Sequence, residues 1–231
     1  MVLAGGVGGL GSATASLLLD EGVKLVLSYR SNRERAERWR ERAMVLPADL
    51  ASVVDRARLL DASPSLYGLV VFAGNPARVA QPSEMETAMA VSHEINYLGP
   101  VLLAREAAVR LRNSSAQGAI VLVSTMQANA LFPGSTVYAA QKAALQHAAL
   151  ILAKECRGAL NIRVNVLSPG IIDAGMAQAS IASGKYDRFR EEGIIPRFGR
   201  AADVARAVRF LLEPDNYVTG QVLCVDGGIT L

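Results

Sequence analysis

Short, almost wholly apolar runs alternate along the chain with longer stretches whose apolar positions recur three and four residues apart. The runs are Val2-Leu3, Val23 to Leu27, Ala43 to Leu46, Leu69 to Phe72, Ala119 to Val123, Ile162 to Leu167 and Val222 to Val225, and each reads as a strand. Between them the pattern predicts helices near residues 10–21, 32–42, 51–61, 92–112, 136–157 and 201–213. A strand without polar alternation must be covered on both sides. The order therefore predicts an α/β fold, a doubly wound parallel sheet of about seven strands with helices on both faces. The opening strand is so short that the chain is expected to begin inside it. No repeat, low-complexity tract or long linker interrupts the alternation, and residues 1–231 are expected to form a single domain.

Composition narrows the function classes. Of 231 residues, 51% are apolar and the net charge is only +3. Arginines crowd the stretch from Arg30 to Arg42, but Glu34, Glu37 and Glu41 are threaded through it at helical spacings. That is the pattern of a solvated helix with internal ion pairs, so no nucleic acid partner is expected. Cys156 and Cys224 give no disulfide framework and are expected to be small buried apolar side chains in a reducing compartment. His93 and His147 lie far apart, and no metal site is expected. The uncharged first nineteen residues lack a basic start and are broken by glycines, unlike an export signal. With no apolar stretch of about eighteen residues, a soluble cytoplasmic protein without a membrane partner is expected.

Chemistry enters with two motifs. Gly5-Gly6-Val7-Gly8-Gly9-Leu10-Gly11 follows the first strand and opens the first helix. Glycines there allow a tight turn and let a pyrophosphate approach unpaired N–H groups at the helix start. Tyr138 and Lys142 stand four apart on a predicted helix, a spacing that stacks an ammonium beneath a phenol and favours phenolate. Thr125 lies thirteen residues before Tyr138.

The chain resembles the short-chain dehydrogenase/reductase family over essentially its whole length. Gly5, Gly9 and Gly11 match the family's Gly-x-x-x-Gly-x-Gly turn, Tyr138 and Lys142 its Tyr-x-x-x-Lys, and Asn96 its active-site Asn. Asn165 to Gly170, Tyr217 to Gln221 and Asp226-Gly227-Gly228 match its later landmarks, and the Tyr29-Arg30-Ser31 region and the ending resemble its 3-oxoacyl carrier-protein reductases. The resemblance implies a Rossmann fold and hydride transfer between a nicotinamide and a carbonyl or alcohol carbon. By it, Thr125 would polarise the substrate oxygen and Tyr138 would serve as general acid/base. Lys142 would lower the Tyr138 pKa and hold the nicotinamide ribose, and Asn96 would anchor a water linked to Lys142. Cofactor contacts would come from Gly5, Gly8, Gly9, Leu10 and Gly11, from Tyr29, Arg30 and Ser31, from Asp49 and Leu50 near the adenine, and from Ala73 and Gly74. Tyr138 and Lys142, with Pro169, Gly170 and Ile172, would border the nicotinamide. Residues 174–196 would form a mobile lid over the substrate.

Several positions depart from the family pattern. Ala4 replaces a Thr, Val71-Phe72 replaces Asn-Asn, Ala174 replaces a frequent Thr, and Thr125 stands where Ser is usual. Thr keeps the hydroxyl but adds a methyl and a stiffer χ1 beside the substrate. Alternation along the strand would aim Ser124 to the other side. Against a working reductase stands a sensor or scaffold that binds the dinucleotide without turnover. The long helices at 92–112 and 136–157 are expected to pair in a homo-oligomer, a dimer or tetramer.

The end of the second strand bears on cofactor choice. An acidic residue there would bind ribose hydroxyls and repel a 2′-phosphate, but Tyr29 and Arg30 hold the place, which favours NADP(H) over NAD(H). Replacing Arg30 by Ala is expected to weaken NADPH binding by about 1.5–3 kcal/mol, the scale of a hydrogen bond to a charged group, and to leave NADH nearly unchanged. Titration calorimetry with both coenzymes checks this, and equal losses would refute it.

Overall fold

The structure, a computed structural model, describes residues 1–79 and 81–231. Its strands are β1 (Val2–Ala4), β2 (Val26–Tyr29), β3 (Met44–Pro47), β4 (Gly68–Val71), β5 (Gly118–Val123), β6 (Ile162–Pro169) and β7 (Val222–Val225). They form one sheet in the order β3-β2-β1-β4-β5-β6-β7, with every pairing parallel. The helices are α1 (Gly9–Asp20), α2 (Arg33–Glu37), α3 (Val53–Asp61), α4 (Met85–His93), α5 (Gly99–Asn113), α6 (Thr136–Glu155), α7 (Gln178–Ala182), α8 (Asp187–Glu191) and α9 (Ala201–Leu212).

Central strands β4, β5 and β6 are buried along their whole lengths; β4 and β5 are apolar throughout, whereas β6 carries Arg163, Asn165 and Ser168 among its apolar residues, and these buried polar groups must find partners. Alternate residues feed two cores. On one face Leu69, Ile120 and Val164 pack with Leu59 of α3, Leu103 of α5 and Leu145 of α6. On the other, Leu3, Val70 and Val121 pack with Leu18 of α1 and Val208 of α9. No helix among the described residues is long and apolar enough to cross a membrane.

Several features differ from the sequence reading, among them β2, which runs over Val26–Tyr29 rather than from Val23 to Leu27. The helix expected at 32–42 stops at Glu37, because Ala36 is its one buried residue and ion pairs such as Arg40 with Glu37 at 2.7 Å add little at a solvated surface. The helix expected at 92–112 begins at Met85 and passes through a π-helical turn, Glu94–Leu98, before α5. Pro100, with no N–H to give, follows that turn, and a Cβ on Gly99 would lie 2.8 Å from that of Leu50. Cys224 is exposed on β7, whereas Cys156 is buried as expected.

A buried arginine fastens α9 to the sheet. Arg163 on β6 is 2% exposed; its guanidinium donates to the Leu211 and Glu213 carbonyls at 2.8 and 2.7 Å and to the Tyr67 hydroxyl at 3.2 Å. No carboxylate pairs with it among the described residues, so its charge is met by the carbonyls at the C-terminus of α9. Arg163→Met should strip those acceptors of their donor and cost about 3 kcal/mol, the scale of buried polar groups left unpaired. Urea unfolding followed by circular dichroism measures it.

Candidate active site

β1 and β4 are neighbours although the chain travels outward through β2 and β3 between them. At such a reversal the connecting segments part beyond the strands' C-terminal ends and leave a crevice. Here it is a cleft of about 590 Å³. The glycine turn forms its floor. Gly5 has a φ of +77°, and a Cβ on Gly11 would stand 2.6 Å from the Gly5 carbonyl oxygen, so the turn closes only without side chains. No side chain caps α1 and no acid stands in its first turn, so its free N–H groups face the cleft ready for an anion. A cradle of this shape fits the pyrophosphate of a dinucleotide.

At the end of β5, Thr125 is 9% exposed and turns the chain into a short 3-10 helix. Ser124 points the other way, as strand alternation predicts, and donates to the Lys142 carbonyl at 3.1 Å. Lys142 on α6 is 3% exposed, and its Nζ donates to the Val123 carbonyl at 2.9 Å. Burial lowers its pKa to about 8. Tyr138, one turn earlier on α6, lines the cleft; although its surface is half-covered, desolvation pushes its phenol up to about 12, with the Thr125 hydroxyl acting in the opposite direction. The spacing predicts an ammonium that favours phenolate, but in the structure burial raises the Tyr138 pKa instead.

Nearly every residue singled out from the sequence lines this cleft. Gly5, Gly8, Gly9, Leu10, Gly11, Tyr29, Arg30, Ser31, Asp49 and Leu50 form one arm. Ala73, Gly74, Thr125, Tyr138, Lys142, Pro169, Gly170 and Ile172 form the other. Asp49 does not cap α3; Ser52 does, and Asp49 accepts from the Ala51 N–H at 3.0 Å. Asn96 stands apart. It is 0% exposed in the π-helical turn, its amide donating to the Asn75 carbonyl at 2.9 Å and to Ser92 at 3.0 Å and accepting from the Asn75 N–H at 2.9 Å. It pins the loop after β4, and its amide is 3.2 Å from where a Cβ on Gly74 would lie.

The sequence of Enoyl-(Acyl carrier protein) reductase proteins, taken as a family profile, matches residues 5–230. The chain belongs to the short-chain dehydrogenase/reductase family. It is 35% identical over 240 residues to carbonyl reductase family member 4 of Danio rerio, covering 100% of this chain and 97% of that one. It is 32% identical to the 3-oxoacyl-[acyl-carrier-protein] reductase of Bos taurus, covering 98% and 96%. A solved structure of ElxO with NADP bound superposes with a TM-score of 0.85 at 26% identity, covering 99% and 97%. Membership makes the chain an oxidoreductase of small molecules that works with a nicotinamide dinucleotide.

Several cleft residues of this dehydrogenase/reductase carried no motif. Arg78, Ser135 and Ile95 line the cleft, as do Lys185 and Tyr186 from the segment expected to act as a lid. Arg78 could have been found as the lone charge in the loop after β4, but nothing in the sequence shows what it reaches.

The buried ammonium has a stability consequence. A lysine whose folded pKa is about 8 against an ordinary 10.5 holds fewer protons folded than unfolded across that interval, so stability rises as pH rises through it. Wild-type protein should gain about 2 kcal/mol between pH 8 and pH 10. Lys142→Met should lack this gain, as urea unfolding at the two pH values would show. Tyr138 does not blur the window, because its folded pKa of about 12 affects stability only above its ordinary 10, where it lowers it.

Proposed function

We propose that this chain is an NADP(H)-dependent reductase of carbonyl compounds, reversible toward secondary alcohols, with residues 1–231 acting as one domain. One observation carries the reading: Tyr138, Lys142 and Thr125 share a single cleft with the uncapped glycine turn. When bound, the dinucleotide supplies a hydride to the carbonyl carbon.

The chain's residues do the rest. Thr125 donates its hydroxyl proton to a hydrogen bond on the carbonyl oxygen and so polarises it. Tyr138 gives that oxygen a proton as the bond becomes an alcohol. A phenol held near 12 stays protonated at neutral pH, which suits the donor. Lys142 uses one N–H on Val123 and keeps others for the hydroxyls of the nicotinamide ribose. Asn96 acts as a positioning residue that keeps the Asn75 loop against the cleft wall.

Preference for NADP(H) rests on Arg30, which is exposed at the cleft's adenosine end beside Tyr29. Its guanidinium has no ion-pair partner among the described residues, so it is free for a 2′-phosphate. Val109 on α5 and Ile151 on α6 are exposed at 49% and 46%, which supports burial of these helices in a homodimer or homotetramer.

Tyr138→Phe decides between turnover and mere binding. Following NADPH absorbance with ketones, diketones and acyl thioesters, wild type should oxidise NADPH and the variant should be slower by at least about a hundredfold. NADPH binding should survive the substitution. Binding without oxidation by wild type across the panel would instead favour a dinucleotide sensor.

A further inference from the structure

The substrate end of the cleft is one-sidedly charged. Among the described residues its charged lining consists of Arg78, Lys142 and Lys185, and the only acid in the cleft wall, Asp49, belongs to the adenine end with Leu50 and Ala51. Lys142 is buried and donates to the Val123 carbonyl at 2.9 Å. Arg78 and Lys185 are both exposed, and neither has a carboxylate partner among the described residues. The acid nearest Lys185 in sequence, Asp187, is paired with Arg190 at 2.9 Å.

Arg78 is held in place by neutral groups. From the loop after β4 it reaches across the mouth of the cleft, and its Nη2 donates to the Met176 carbonyl at 3.2 Å and to the Ser180 hydroxyl of α7 at 3.3 Å. Those contacts orient the guanidinium without neutralising it. Its Nε and Nη1 donors have no partner among the described residues. Lys185 sits on the same segment, with its ammonium 5.7 Å from the centre of the Tyr186 ring. Met126, Phe132 and Tyr186, which pack in one hydrophobic cluster, line the same cleft together with the small polar residues Ser135 and Ser180. A cleft lined in part by an apolar cluster and carrying two exposed, uncompensated cations suits a molecule with its carbonyl at one end and an anion at the other.

We propose that the substrate class of this site is the oxo acids, with Arg78 and Lys185 as the residues that bind the carboxylate. This rests on the reductase reading above and adds the chemistry of the group remote from the reacting carbon. A free Nη1 or Nε donor of Arg78 gives a carboxylate oxygen a charge-assisted hydrogen bond, which places the chain's far end and so fixes which carbonyl sits beside Tyr138. The neutral methyl ester of the same acid has the same reach but lacks the charge.

The test compares oxo acids of increasing length with their methyl esters in NADPH oxidation, using wild type, Arg78→Leu, Arg78→Lys and Lys185→Met. For the best-fitting acid, kcat/KM should exceed that of its ester by about tenfold or more, the scale of a charge-assisted contact. Arg78→Leu should bring the ratio toward one, Lys185→Met should lower it in part, and Arg78→Lys should retain part of it. In parallel, binding of the best-fitting acid's alcohol, its reduced form, is read by quenching of bound NADPH fluorescence in wild type and Arg78→Leu. Esters reduced as well as acids by wild type would overturn the proposal and leave the reductase reading standing. Charge-dependent binding of the hydroxy acid, lost in Arg78→Leu, with no turnover of any carbonyl would keep the anion site and sink the reductase reading. If neither turnover nor such binding is seen, both fall. Weakening of NADPH itself by Arg78→Leu to a similar extent would assign the arginine to the cofactor and overturn the proposal.

Discussion

A reciprocal clasp between the end of β5 and the middle of α6 sets the chemistry. Lys142 reaches back to the Val123 carbonyl while Ser124 reaches forward to the Lys142 carbonyl, so strand and helix are tied by both a side chain and a backbone group of the same residue. Tyr138 is one turn from the clasp on the helix, and Thr125 is one residue from it on the strand. Their relative placement is fixed by these two bonds more than by any contact they make themselves. Gln146 extends the tie, donating to Ser124 at 3.1 Å and to Asn129 at 3.0 Å, and Asn129 in turn donates to Ser168 on β6 at 2.8 Å. The buried members of this network, Ser124, Lys142 and Ser168, resist rearrangement because each would be left unpaired if its partner moved.

The same clasp explains the electrostatic balance. An ammonium taken out of water is costly, and a single carbonyl partner compensates only part of that cost, which leaves Lys142 with its pKa near 8. Tyr138 is pushed the other way by the same cause. Desolvation thus brings the two groups away from their charged forms together. A bound dinucleotide and substrate would change that environment.

Much of this was legible in the chain. Unbroken apolar runs marked β4 and β5 because strands buried on both faces have few polar positions to give, and the apolar residues of β6 marked it despite Arg163 and Asn165. The glycine cluster marked the anion cradle because no other residue fits at Gly5 or Gly11. Other features left no mark. The π-helical turn is a matter of hydrogen-bond register, and only Pro100 hints at it. α4 buries just Ser92, so its exposed Met85, Met89 and Val91 gave no face to recognise. The burial around Tyr138 and the reach of Arg78 to Met176 depend on segments far apart in sequence, which no local pattern encodes.

The widened turn at Glu94–Leu98 has a consequence for how the long rod of α4 and α5 is phased. Such a bulge accommodates one residue more than a regular helix would, and each residue rotates the helix by about 100°. Everything beyond it is therefore keyed to that extra step: Leu103, Ala107 and Leu111 meet the sheet while Asn96 still turns inward to grip Asn75. Straightening the rod by removing one residue would swing the apolar stripe of α5 off the sheet. Local irregularity here is what lets a single helical rod serve two masters, a polar anchor at the cleft and a greasy seam along the core.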